Sequence, residues 1–172
     1  MKKTLAILCL AALGGVPAMA AMTLTPLQIG IAGERVQLFR PETQVMGLRL
    51  NLALSENQDV MGLDVGLLSR SDRMSAIQLN LANWVEEEFI GVGAGLFNTM
   101  GSMAGLQAGI FNVVEQDMAG FQVGLFNMAD NASGLQIGLI NRTVSLRGLQ
   151  IGLVNIIEEG PLTFFPIINA AF

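Results

Sequence analysis

GLQIGLIN at residues 134–141 and GLQIGLVN at residues 148–155 are one eight-residue phrase written twice, and six looser copies precede them. The copies begin at Gly47, Gly62, Ala76, Gly91, Gly105, Gly120, Gly134 and Gly148, so the spacing alternates between 15 and 14 and ends on 14. Helical repeats need units of about 30 residues or more, which these intervals cannot hold. Each copy therefore reads as a single strand with its turn, and the chain as an all-β repeat protein.

Numbering each copy from its leading residue, even positions 2, 4 and 6 are purely apolar, as in Leu48, Leu50 and Leu52 or Leu135, Ile137 and Leu139. That is the period-two signature of a strand with two unlike faces. Position 3 carries Arg49, Asp64, Gln78, Gly93, Gln107, Gln122, Gln136 and Gln150, and position 5 is mostly Gly. The charges gather between the copies, for example at residues 86–88 and at Glu115 and Asp117, while residues 89–100, 103–114 and 118–129 carry none.

Two layouts satisfy this pattern. An up-and-down antiparallel β-barrel or meander of about 10 to 12 strands needs even-length turns at the 15-residue spacings and odd-length turns at the 14-residue ones, and both are present. Its uncharged strands match the roughly 9–11 residues that a tilted membrane-spanning strand needs. The even positions would then face lipid. The interior would be lined by Arg49, Asp64, Gln78, Gln107, Gln122, Gln136 and Gln150 and plugged by Phe97, Phe111 and Phe126, and acidic turns would mark one rim. Arg49 and Asp64, the charges of position 3, are expected to form an ion pair. The alternative is a β-solenoid with 29-residue coils, in which the Asn of position 8 (Asn83, Asn98, Asn112, Asn127, Asn141, Asn155) forms ladders and the odd face meets water.

At the N-terminus, Lys2 and Lys3 precede an apolar run over residues 5–13 and a small-residue site at Ala18-Met19-Ala20. This reads as a secretory signal peptide over residues 1–20, with residues 21–172 forming a single β-repeat domain. The exported part has no cysteine or histidine, and its seven arginines face fourteen carboxylates, a net charge of −7. Nucleic acid is excluded as a partner, because phosphate contacts need clustered basic side chains.

The two GLQIGL phrases and the closing GPLTFFPIINAAF resemble exported bacterial surface-repeat proteins carrying runs of G-L-Q-aliphatic-G-L-x-N, over residues 47–172. The resemblance implies export and surface association, and no activity. The terminal Phe172, with Ala170, Ile168 and Phe164 alternating before it, is similar to the last strand of bacterial outer-membrane barrels. Pro166 falls inside that segment, where a closed ladder would lose a donor. The aromatic girdles of a membrane barrel are also missing, since the chain has no Tyr and one Trp, Trp84.

Catalysis lacks a base or nucleophile with an activating partner, and Glu86, Glu87 and Glu88 are adjacent residues that cannot converge on one metal ion. The expected function is an exported outer-membrane or surface-associated β-repeat protein with a structural or narrow-pore role, membrane lipid as its partner, and no enzyme activity, cofactor or metal. The alternative is a soluble exported β-solenoid, periplasmic or secreted, acting as a binding or adhesion module.

Overall fold

The computed structural model describes residues 24–33, 35–160 and 162–172, so the expected signal peptide over residues 1–20 lies outside the described residues. The described chain holds no helix. Its extended segments are β1 (Leu24–Ala32), β2 (Gln44–Ala94), β3 (Phe97–Ile137), β4 (Ile140–Ile157) and β5 (Phe164–Ala171). Lengths of 51 and 41 residues for β2 and β3 exceed any single straight strand; both wind through several coils.

Register establishes the winding. Residues 82–85 of β2 pair in parallel with residues 97–100 of β3 at an offset of 15, and residues 88–94 pair with residues 102–108 at an offset of 14. β3 and β4 pair in parallel at an offset of 14 throughout, from Phe126 opposite Ile140 to Ile137 opposite Ile151. The hydrogen-bonded neighbour of each copy is thus the next copy, in the same direction, so one repeat is one full coil of a β-solenoid. This corrects the antiparallel barrel, and with it the lumen and the narrow pore. It also shortens the solenoid alternative, whose coils are 14 or 15 residues rather than 29.

A coil that closes in one repeat must turn two corners. One is the bend at positions 5 and 6, Gly95-Leu96 and Gly138-Leu139, where regular strand geometry is interrupted. The other is the charged turn, and the extra residue of a 15-residue coil is absorbed there, at the register shift between Val85 and Glu88. The 14/15 alternation leaves the ladders on the faces in step. All turns share one edge, so the charges do not divide between two rims.

Position 1 shows why glycine opens most copies. At Gly105 the backbone has φ +138° and an added Cβ would lie 2.0 Å from the carbonyl oxygen of Gly91, the same position one coil earlier. Neither the conformation nor the space admits a side chain.

The ends of the stack are built differently. LQIGIA in β1 lies in parallel on the first full copy, with Gln28 opposite Arg49, and residues 36–38 fold back on residues 29–31 through backbone hydrogen bonds. At the other end β5 runs antiparallel to β4, with Ile168 opposite Ile151 and Asn169 opposite Gln150. Pro166 falls at the register shift of this edge strand, between the Gly152 and Asn155 pairings, so its missing N–H is not needed there.

Candidate functional site

The coil interior is divided, with polar columns at positions 3 and 8 and an apolar strip beside the charged turn. Arg49, Asp64, Gln78, Gln107, Gln122, Gln136 and Gln150 are all buried, in one column that Gln28 begins. Gln122 Nε2 donates to Gln107 Oε1 at 2.8 Å, Gln136 to Gln122 at 2.6 Å, and Gln150 to Gln136 at 2.8 Å. Several of these amides also reach across the coil, Gln122 to the Met128 carbonyl and Gln150 to the Ile156 carbonyl, tying one sheet to the other. At Gly93 the ladder is interrupted. Phe89 and Met100 occupy the space, so that an added Cβ would meet Met100 Cε at 2.9 Å.

Beside the bend runs the second ladder. Asn83 donates to Asn98, and the chain continues through Asn112, Asn127 and Asn141 to Asn155 at 2.6–2.9 Å. The same Nδ2 groups donate to the position-4 carbonyl of the following coil, as Asn112 does to Val123 at 3.0 Å; at Ala108 and Ile151 that carbonyl also accepts from the position-5 N–H of the coil before, Gly95 and Gly138. Glycine at position 5 makes room: a Cβ on Gly124 would lie 2.5 Å from Asn112 Nδ2. Asn112→Ala removes both bonds and strands the amides above and below, so a loss of about 1–3 kcal/mol is expected in urea unfolding. A cost indistinguishable from zero would mean the ladder is incidental.

The two ladders meet in one charged node. Arg49 Nε donates to Asp64 Oδ1 at 2.8 Å and Arg49 Nη2 to Asp64 Oδ2 at 3.1 Å, with both side chains fully buried. Asp64 also accepts from Asn51 at 2.7 Å, Ser69 at 2.6 Å and Asn80 at 2.9 Å, and Asn80 donates onward to Asn83. The ion pair expected from the sequence is present, though its geometry is that of stacked parallel coils. Burial alone would raise the Asp64 carboxyl, but Arg49 and the hydrogen bonds from Ser69 and Asn51 outweigh it and hold the pKa below the ordinary 3.8. A depressed folded-state pKa contributes stability that is present above the ordinary value and lost as pH falls through the lowered one. The urea midpoint should therefore drop below about pH 4, and drop less in Arg49→Gln/Asp64→Gln.

An apolar strip fills the interior beside the charged turn, where Val85, Phe89, Met100, Met103, Val114, Met118, Leu146 and Ile157 are buried. Outside, the turn edge carries Arg73 paired with Asp59 at 2.8 Å, Arg70 with Glu86 and Arg142 with Glu158. A shallow trough of about 570 Å³ runs along this edge past Glu88, Asp117, Asn131 and Arg147. Among the described residues no group of three His, Cys, Asp or Glu side chains could hold a metal ion.

Across the eight copies the remaining outer surface is uncharged. Positions 2 and 4 cover one sheet face, as at Ile77, Leu79, Phe121 and Val123, and position 6 forms a ridge of exposed leucines along the bend, including Leu52, Leu96, Leu125 and Leu153. Phe97, Phe111 and Phe126 stack with centroids 5.3 and 4.8 Å apart on the other sheet face. They do not plug the interior: Phe97 is 53 % exposed. The bend explains the correction, because positions 6 and 7 both point outward across it and the alternation resumes in the opposite phase, bringing the asparagine of position 8 inward. The face expected to meet water in a solenoid is likewise inside, and the apolar face is outside.

Within the eight copies the charged residues, Arg49 and Asp64, are sealed in and paired. The described chain is a β-solenoid whose interior holds hydrogen-bonded amide ladders beside an apolar strip, and whose eight copies carry an uncharged skin on three sides and charges on the fourth. Comparison with family models, with curated proteins and with solved structures finds no match.

Proposed function

We propose that this chain is an exported, surface-associated β-solenoid that acts as a non-catalytic binding or adhesion module. The observation that carries the reading is the inverted distribution of polarity. Apolar patches beyond a few hundred Å² mark interaction surfaces, and here apolar side chains cover both sheet faces and the bend. The skin is flat or convex rather than a ligand-shaped cleft, which suits an extended partner. Ladders of amides inside the coil supply rigidity without drawing on the outer side chains, so the faces are free for contact. The exported character rests on the N-terminal residues and on the surface-repeat resemblance of residues 47–172.

Expression of the full chain in a bacterial host followed by fractionation tests this. The expected result is a chain processed after Ala20 and retained with the envelope, with Leu106→Glu/Leu135→Glu shifting it to the soluble fraction at unchanged far-UV circular dichroism. An unprocessed cytoplasmic chain would remove the export reading. Insensitivity of envelope retention to the two substitutions would remove the role of the skin.

A further inference from the structure

The outer skin has a geometry that selects among occupants. Outward positions 2, 4, 6 and 7 hold no charge in any of the eight copies, and charges begin only at position 9 and in the turn, where Arg70 and Arg142 pair with Glu86 and Glu158. The cross-section is polarised from a leucine ridge to a charged edge. Face-to-face dimerisation fits this poorly, because it would cover one sheet face and leave the ridge and the opposite face bare. A convex ridge is also a poor seat for a folded partner. Acyl chains can enclose all three uncharged sides together.

Resting on the reading of this skin as the binding surface, we propose that the solenoid inserts edge-on into one leaflet of a lipid bilayer, leucine ridge deepest and charged turns at the headgroups. The dimensions agree. Three residues separate the ridge from position 9, where Arg70, Trp84 and Arg142 stand, roughly 10 Å at about 3.3 Å per residue, which fits within the roughly 15 Å of hydrocarbon in one leaflet. The interior is bonded chiefly to itself, through the ladder amides and the Arg49–Asp64 pair, with Asn51 Oδ1, Gln78 Oε1 and Gln150 Oε1 left over among its amide oxygens. Trp84, the single tryptophan, stands at position 9 and is 54 % exposed, at the level where charges begin. That is the boundary depth at which tryptophan concentrates in membrane proteins.

The test uses residues 21–172, which contain every element of the fold, so that the apolar run at residues 5–13 cannot contribute. With phosphatidylcholine vesicles the chain should co-float, and Trp84 emission should shift to the blue. Phosphatidylcholine brominated near the headgroup should quench Trp84 more than lipid brominated deep in the chain. The order should reverse for Leu96→Trp in a Trp84→Phe background. Leu96→Glu/Leu125→Glu should lower partition at least about tenfold, since charges deep in lipid are costly. Quenching of the unmodified Trp84 needs no substitution, so a variant that fails to fold does not decide the matter. Deep quenching of Trp84, or shallow quenching of a folded Leu96→Trp variant, overturns the orientation. Absence of flotation together with a discrete oligomer in sedimentation velocity overturns lipid as the occupant in favour of a second copy, and leaves the skin as a binding surface. Absence of flotation from a stable monomer overturns lipid also, and combined with loss of envelope retention it removes the broader function.

Discussion

Asp64→Ala is expected to destabilise the fold by about 3–5 kcal/mol, because it leaves the Arg49 guanidinium buried without its counter-charge. Gln136→Ala, by contrast, removes one rung of the amide ladder, bonded to Gln122 and Gln150, at a cost of about 1–3 kcal/mol. Both are measured by urea unfolding followed by circular dichroism. The double change Arg49→Gln/Asp64→Gln should recover much of the loss, since glutamine is the usual occupant of position 3 and would join the column between Gln28 and Gln78. An Asp64→Ala variant no less stable than Gln136→Ala would show that the node is dispensable. A double variant as unstable as the single one would show that the ladder cannot replace it.

Gly105→Val is expected to cost more than about 3 kcal/mol, combining a β-branched residue at a strongly disfavoured φ with a backbone collision. The Cβ would lie 2.0 Å from the Gly91 carbonyl oxygen, and the coils cannot separate there without breaking the ladder on both sides. Ala76 occupies the same column without the positive φ, so Ala76→Gly should cost only about 1 kcal/mol, the entropic penalty of glycine in a strand. The pair of thermal unfolding midpoints checks this. Equal effects at the two sites would mean that position 1 is not sterically closed.

Pro166 and the phenylalanines show how far reading by residue type reaches. Pro166 argued against a closed ladder, and β5 is an edge strand with a register shift at that residue. Extending the period-two count past Leu96 places Phe97, Phe111 and Phe126 in the interior, yet they stack on the outside. The count is valid only while the backbone stays straight. The corner shows in the sequence only as a break in the alternation, apolar at both positions 6 and 7 and asparagine at position 8 in six copies, and the break by itself does not fix which way the chain turns.

Local properties were legible from the sequence. The repeat unit, the separation of apolar from amide positions, the membership of Arg49, Asp64 and the glutamines in one column, and the pairing of the two charges all follow from period two and copy spacing, which depend on neighbours along the chain. Direction and inside-outside sense were not legible. Spacings of 14 and 15 satisfy antiparallel turns as well as parallel coils, and the difference lies in whether the chain closes on itself within one repeat. That closure depends on the bend at positions 5 and 6, and on amides that bond to the next coil and across their own. Once Gln and Asn side chains satisfy one another between coils, a polar interior costs little, and the apolar positions are turned outward; only the stacked tertiary structure supplies those partners.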